Sequence, residues 1–209
     1  EGGSLYNCTV TGNTAVAGGG IFYDGGGIGG CRAFNCIVYG NHAEHGPNYW
    51  ALTRFEYSCT TPLPPGPGNI AADHRMASST RLSLDSPCLA AGSPDYATGT
   101  DMDGEPWANP PSIGADEIRP GQTVGPLTMH IEAPFTEVAS GFPAPVSARN
   151  AVFVLKSVSD FSDGTSATNQ AFTSHAWAAP GTYLVRLTGY NDSHPDGVST
   201  SLQITVVEA

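Results

Sequence analysis

Two nine-residue segments of this chain are near copies of each other. Residues 7–15 read NCTVTGNTA and residues 35–43 read NCIVYGNHA, so six of the nine positions are identical and the offset is 28 residues. Repetition at a period of roughly 20–50 residues is typical of solenoids, in which each repeat buries its apolar face against the next. A solenoid has two open ends, and each of them must be capped, continued or bound.

Each copy is predicted to be a β-strand followed by a turn. A Cys-x-Val pattern alternates with other side chains, which is the period of a strand, and the Gly-Asn pair that follows tolerates positive φ. Glycine triplets at 18–20 and 25–27 flank a second short strand at 21–23, and a degraded third rung is predicted at 55–60. These features favour a parallel β-helix over a helical solenoid, where glycine costs about 1 kcal/mol per position.

Like residues are expected to stack between rungs. Cys8 and Cys36 would form an inward column, which Cys59 would extend in the third rung. Asn13 and Asn41 would form a ladder of side-chain amides at the corner, each satisfying the next. These roles are structural.

The five cysteines are an odd number, and their spacing contains no C-x-x-C pair and no Cys/His cluster typical of zinc sites. Cys8 and Cys36 can be small buried side chains. Cys59 and Cys88 lie in loop-rich sequence and are the best candidates for a disulfide, worth about 3–4 kcal/mol on the chain-entropy model. A disulfide from Cys31 to Cys36 or to Cys8 is an alternative pairing.

The amino-acid composition limits the classes of binding partner that are expected. The 209 residues carry 8 Lys and Arg against 19 Asp and Glu, a formal net charge of −11. An acidic surface argues against binding nucleic acid or an anionic membrane, where basic patches supply the affinity. The sequence has no apolar run of about 18 residues, so membrane insertion is not expected. Low charge with abundant glycine favours an extracellular or cell-surface β-protein.

The segment after the repeats resembles a known family. Residues 61–68 (TPLPPGPG) predict an extended loop, and residues 86–92 (SPCLAAG), 101–104 (DMDG) and 113–117 (IGADE) follow. This compound signature resembles the C-terminal part of bacterial right-handed parallel β-helix proteins, which are pectin-lyase-like surface proteins of the choice-of-anchor or polymorphic type. The resemblance implies that residues 1–118 form a short right-handed parallel β-helix whose irregular cap covers the last rung.

A second all-β domain is predicted after a linker at 119–124. Residues 159–165 read SDFSDGT and residues 175–183 read HAWAAPGTY. These motifs resemble the PKD domain, which implies an immunoglobulin-like β-sandwich over residues 125–209. The resemblance also implies an extracellular spacer or adhesion module rather than an enzyme.

No catalytic residue is predicted. A pectate-lyase-like enzyme would need an aspartate cluster for Ca²⁺ or paired carboxylates, and the few charged residues of the repeats do not line up two carboxylates on one face. Asp101 and Asp103 match part of a calcium-binding loop. Like Asp160 and Asp163, they could either bind Ca²⁺ or stabilise a turn. A hydrogen-bonded turn is the favoured interpretation of both pairs, so no cofactor is expected, and Ca²⁺ stays the open alternative.

Two further sets of residues suggest glycan chemistry. Tyr49, Trp50 and Trp107 could contact extracellular glycans or pack against the solenoid. The N-x-S/T pattern occurs at Asn7 and Asn191, although Asn7 is predicted to lie inside a strand.

The leading functional hypothesis is a secreted, non-enzymatic structural protein. Glu1 begins almost inside a rung, so that Gly2, Gly3, Leu5 and Tyr6 would present a bare edge to a second copy, giving a head-to-tail homo-oligomer in a surface filament or layer. The alternative is the stalk or anchor part of a larger adhesin or carbohydrate-binding surface protein, and a polysaccharide lyase or hydrolase remnant is the third interpretation.

Overall fold

The chain is all-β and divides into two compact units. One unit comprises Glu1–His74 and Asp85–Ile118, and the other comprises Arg75–Leu84 and Arg119–Ala209. Residues Arg75–Leu84, which were expected in the first domain, therefore pack within the second unit. The computed structural model describes residues 3–22, 30–50, 53–119, 121, 123–149 and 153–209. Within these ranges, the protein has no helix long and apolar enough to cross a membrane.

The first unit contains eight short strands and a 3₁₀ helix at Pro94–Tyr96 within the described ranges. The strands form three sheets of order β1-β4-β7, β2-β5-β8 and β3-β6, and every pairing is parallel. The strand bounds are β1 Ser4–Tyr6, β2 Thr9–Thr11, β3 Thr14–Ala17, β4 Arg32–Phe34, β5 Ile37–Tyr39, β6 His42–His45, β7 Arg54–Glu56 and β8 Cys59–Thr60.

The predicted third rung is present as β7 and β8, but its register differs from the expected one. Ile37 pairs with Thr9 on one side and with Cys59 on the other. Ser58 consequently lies beside Cys36, whose backbone N–H donates to the Ser58 Oγ at 3.1 Å. The expectation that Cys59 extends the cysteine column is therefore wrong, because the third rung follows the second at a shorter offset than the second follows the first.

The interior between the sheets is apolar. Ala33, Cys36, Val38 and Phe55 are buried there together with Ile21, and Leu5, Cys8 and Val10 are partly buried against them. Ile21, in the predicted strand at 21–23, forms an isolated parallel bridge with Tyr49, while residue 23 lies outside the described ranges. Alternation along β2 and β5 thus directs one set of side chains inward, as the Cys-x-Val pattern predicts.

The proline-rich loop covers the last rung. Pro67 accepts the Tyr57 N–H, Ile70 accepts the Thr60 N–H, and the Ile70 N–H donates to Ser58. The Asn69 side chain accepts the Ser58 N–H and donates to the Phe55 carbonyl. The backbone groups of the third rung are therefore satisfied by residues 61–70, which the sequence predicts only as a surface loop.

The segment that was expected to cap the last rung lies elsewhere. Asn35 exchanges hydrogen bonds with the Ser93 backbone, and the Ala115 N–H donates to Thr9 Oγ1 at 3.1 Å. Gly114 approaches so closely that a Cβ there would lie 2.8 Å from Ile37. Residues 85–118 therefore lie along the outward side of the rungs rather than over the end of the stack.

The second unit is a β-sandwich of a five-stranded sheet, β10-β16-β15-β12-β13, and a three-stranded sheet, β14-β11-β9. All its strand pairs are antiparallel except β10 with β16. The strand bounds are β9 His130–Glu132, β10 Glu137–Ala139, β11 Ala144–Arg149, β12 Lys156–Asp160, β13 Ser166–Thr168, β14 Phe172–His175, β15 Gly181–Asn191 and β16 His194–Val207.

Trp177 lies in the core between these two sheets. It packs in one cluster with Val146 of the smaller sheet and with Val185 and Ile204 of the larger sheet. Its Nε1–H donates to the Phe161 carbonyl at 3.0 Å, so the indole is buried without an unpaired donor.

Candidate functional site at the edge of the parallel sheets

Strands β1, β2 and β3 form an edge of the first unit, because each is the outermost strand of its sheet. Val16 in β3 is 77% exposed, Tyr6 in β1 is 49% exposed and Leu5 is partly buried. Gly3 is exposed, and its carbonyl accepts the Arg32 N–H at 3.0 Å. Gly2 lies outside the described residues. Edge strands that carry exposed apolar side chains are templates for pairing with another chain.

The predicted asparagine ladder ends at this edge. The Asn13 backbone N–H and side-chain amide both donate to the Asn41 Oδ1, at 3.0 and 2.9 Å. The Asn41 backbone N–H donates to the Asn48 Oδ1, and Asn48 in turn donates to Thr61 in the covering loop. The ladder therefore runs from the covered end of the stack to exposed Asn13.

A second asparagine ladder lies at the turns before β2 and β5. The Asn35 side-chain amide donates to the Asn7 Oδ1 at 3.1 Å. The φ angles of Asn7, Asn35 and Tyr57 are 48°, 51° and 49°, so the same left-handed turn recurs in three rungs. Asn7 lies in this turn and not inside a strand as predicted. The asparagine that begins each repeat copy is the sequence signal for this second ladder.

Aromatic rings also stack across the rungs. The ring centroids of Tyr6 and Phe34 are 5.1 Å apart, and those of Phe34 and Tyr96 are 4.4 Å apart. The Tyr96 hydroxyl donates to the buried Glu56 carboxylate at 2.6 Å, and Arg54 binds the other carboxylate oxygen at 2.6 Å. The Tyr96 hydrogen bond and Arg54 lower the pKa of Glu56, while that carboxylate raises the pKa of Tyr96 to about 12. Tyr6 is the exposed end of this column.

The two thiols of the predicted disulfide are close together. Cys59 and Cys88 are both fully buried and hydrogen-bond to each other, and this contact with burial raises the pKa of Cys59. Both are free thiols in the structure, so the disulfide stays a prediction.

The candidate calcium residues lie in hydrogen-bonded turns. The Asp101 carboxylate accepts the backbone N–H groups of Asp103, Glu105 and Glu117 at 2.8–3.0 Å. Carboxylate oxygens of Asp101, Asp103 and Asp116 lie within 4.8 Å of one another. These three backbone donors agree with the interpretation of Asp101 as a residue that stabilises a turn. Ca²⁺ binding stays an untested alternative.

Asp160 and Asp163 behave similarly in the second unit. Asp160 accepts the Ser162 N–H, and Asp163 accepts two hydrogen bonds from Thr165 and lies 2.6 Å from the His175 Nε2. Burial raises the pKa of Asp163, but the hydrogen bonds from Thr165 and His175 outweigh this effect and leave it below its usual value. Each carboxylate thus stabilises its own turn.

The aromatic residues considered for glycan binding do not share one surface role. The Tyr49 ring packs edge-on against buried Phe55, and its hydroxyl donates to the Pro62 carbonyl. Trp50 instead contacts the rings of Phe22 and His45. Trp107 is half-buried in the segment 85–118. Tyr49 is therefore part of the packing of the stack.

Both candidate glycosylation asparagines use their amide nitrogen as a donor. The Asn7 Nδ2 donates to the Tyr96 carbonyl at 2.8 Å, and the Asn191 Nδ2 donates to the Gly125 carbonyl at 3.2 Å. Asn191 is also buried. Attachment of a sugar at either nitrogen would replace one of its two hydrogens, and the sugar would have to fit beside these contacts.

Comparisons with known proteins bear on the second unit. Residues 139–206 match the family model of the PKD domain. The structure is similar to the PKD domain from the human VPS10 domain-containing receptor SorCS2, with 22% identity, 46% of this chain and 89% of that chain covered, and a TM-score of 0.34. The search of curated proteins found no match.

A second solved structure comes from work described as the structural basis for the promiscuous specificity of carbohydrate-binding modules from the β-sandwich superfamily. Its identity is 20% and its TM-score 0.37, and the alignment covers 40% of this chain. The alignment covers 35% of the chain of that structure, so this protein spans about a third of its length. The family match confirms the prediction of a PKD-like domain in the second unit, where residues 139–206 are similar to the PKD family.

Proposed function

We propose that this chain is a non-enzymatic structural protein of the extracellular or cell-surface environment, and that it self-associates through the edge formed by β1, β2 and β3. The carrying observation is the difference between the two ends of the parallel sheets. Residues 61–70 bond the backbone of the last rung, whereas β1, β2 and β3 are the outermost strands of their sheets and β1 and β3 carry exposed side chains. A second copy placed on this edge would give a head-to-tail assembly.

The proposal includes a right-handed parallel β-helix in the first unit. Three parallel sheets recur in the same chain order, and strand-to-strand connections between parallel neighbours of one sheet are right-handed in about 98% of cases. The asparagine ladders and the stacked rings of Tyr6 and Phe34 repeat the same contacts from rung to rung. A further rung on the edge would continue each of these columns.

Sedimentation velocity and negative-stain electron microscopy of the purified chain test the proposal. We expect the average mass to rise with concentration and filaments to form. Val16→Glu places a charge on the edge and should weaken association at least tenfold. Leu184→Glu is the matched control. Leu184 is an exposed apolar residue in a strand of the second unit, and this substitution adds the same charge as Val16→Glu.

Two outcomes would contradict self-association through this edge. One is a monodisperse monomer at all concentrations, which would favour the adhesin alternative, in which further rungs of a longer polypeptide cover the edge. The other is an equal effect of the two charge variants, which would place the contact elsewhere. Turnover of pectins or alginates in the presence of Ca²⁺ would contradict the non-enzymatic part and favour the lyase interpretation.

A further inference from the structure

A pair of cysteines lies in the interior of the two rungs nearest the open edge. Because β2 and β5 pair with Thr9 opposite Ile37, the preceding residues Cys8 and Cys36 lie side by side. The Ile37 N–H donates to the Cys8 carbonyl at 2.9 Å, which fixes this alignment. Both side chains pack in the same apolar cluster.

The two thiols differ in environment. The Cys8 Sγ lies 3.2 Å from the Tyr6 carbonyl oxygen, and the Cys36 Sγ lies 3.2 Å from the Phe34 carbonyl oxygen. The two thiols also contact each other, and Cys36 is the donor that favours the Cys8 thiolate. Cys8 is only partly buried, and the bond from Cys36 lowers its pKa to about 6. Cys36 is fully buried, and the same bond and burial raise its pKa. Cys8 is therefore the thiol that reaches solvent and ionises first.

We propose that Cys8 and Cys36 are a redox-active dithiol that closes into a disulfide between adjacent rungs by exchange with a small-molecule disulfide such as oxidised glutathione. The Cys8 thiolate attacks one sulfur of the small disulfide and releases one thiolate. The Cys36 thiol then loses its proton, its sulfur attacks the Cys8 sulfur, and the second thiolate leaves. Two protein thiols are oxidised by two electrons, and one small disulfide is reduced to two thiols.

Sheet geometry permits this bond and makes it labile. Neighbouring strands lie about 4.8 Å apart, within the range of Cα separations that disulfides span. The aligned Cβ atoms are then about 1 Å farther apart than in a relaxed disulfide, so closure strains the bond and favours its reduction. Since the bond ties β2 to β5, oxidation would fix the edge rung to its neighbour.

Oxidation of the folded wild-type chain with glutathione disulfide, followed by alkylation and peptide mapping, tests the proposal. We expect loss of two hydrogen atoms and a peptide linking Cys8 to Cys36, at a rate that rises as the pH increases through about 6. The buried pair Cys59 and Cys88 should react more slowly and, once closed, resist mild reduction longer.

Two variants sharpen the test. Cys36→Ser removes the resolving thiol and should retain one glutathione on Cys8, and serine already occupies the corresponding position of the third rung at Ser58. Cys31→Ser is the matched control and should leave the Cys8–Cys36 bond unchanged. Five free thiols after oxidation, a bond from Cys8 to Cys31, or no adduct on folded Cys36→Ser would overturn the proposal. If Cys36→Ser does not fold, the peptide map of the oxidised wild-type chain is the deciding measurement.

Discussion

Asn35 combines two tasks within a single residue. Its φ of 51° is a left-handed conformation that asparagine adopts more readily than most residues. Its fully buried side chain donates to Asn7 and to the Ser93 carbonyl and accepts the Ser93 N–H. It therefore joins two rungs to the covering segment 85–118.

We expect Asn35→Ala to lower the free energy of unfolding of the first unit by about 3 kcal/mol. Alanine strains the positive φ and leaves the buried Ser93 N–H without an acceptor. Asn13→Ala is the matched control at the exposed end of the other ladder and should cost less than about 1 kcal/mol. Urea unfolding, with hydrogen exchange to identify the unit, measures both; equal losses would show that Asn35 has no special role.

His74 should make stability depend on pH. It is buried with its ring centroid 4.3 Å from that of Tyr39, and burial lowers its pKa from 6.5 to about 4 although Asp73 acts in the opposite direction. The unfolded chain therefore binds more protons between these values. Stability is fully present above about pH 6.5 and falls by up to about 3 kcal/mol as the pH drops to about 4.

His74→Phe tests this dependence by removing the buried titrating group. Urea midpoints at a series of pH values should vary less between pH 6.5 and about 4 than in the wild type. His42→Gln, which changes an exposed histidine of β6, should retain the wild-type profile. An unchanged slope in His74→Phe would assign the acid sensitivity to other groups.

Among the elements, the loop 61–70 protects a strand edge. Unpaired N–H and C=O groups at a sheet edge recruit other chains, and prolines and covering loops prevent this. Here the loop supplies the backbone of Pro67 and Ile70 and the side chain of Asn69 to the last rung. The resemblance predicted the same protection from the irregular segment that contains residues 86–92, 101–104 and 113–117.

Asn69→Ala should uncover part of this edge. Loss of the bonds to Ser58 and Phe55 should lower the free energy of unfolding of the first unit by about 2 kcal/mol and speed hydrogen exchange at the Ser58 amide. Leu63→Ala is the control in the same loop, because Leu63 is 59% exposed, and it should change neither quantity. Wild-type exchange at Ser58 in Asn69→Ala would contradict the covering role.

Over the whole molecule, net charge opposes assembly. A formal charge of −11 with only 8 cationic residues makes copies of the chain repel each other. Salt screens this repulsion, since the Debye length falls from about 30 Å at 0.01 M to about 8 Å at 0.15 M ionic strength. Apolar and backbone contacts at the edge are not weakened in this way.

We therefore expect self-association to strengthen as ionic strength rises over that range, by a factor of ten or more in the association constant. Sedimentation velocity at fixed protein concentration and pH measures this dependence. The Val16→Glu chain should need more salt than Leu184→Glu to reach the same average mass. Association that weakens with salt would indicate a contact made by ion pairs instead.

Local signals in the sequence predict the parallel repeat, a third rung and the PKD-like unit. These signals are the strand period, the Gly-Asn turns, the recurring identical residues and the motifs at 159–165 and 175–183. The packing of distant segments sets which segment covers which edge, the alignment of Cys59 with Ile37 and the hydrogen bonds between Asn35 and Ser93. These features join residues far apart in the chain, as the bond from Ala115 to Thr9 does. No local pattern encodes such contacts, since they depend on how distant segments pack.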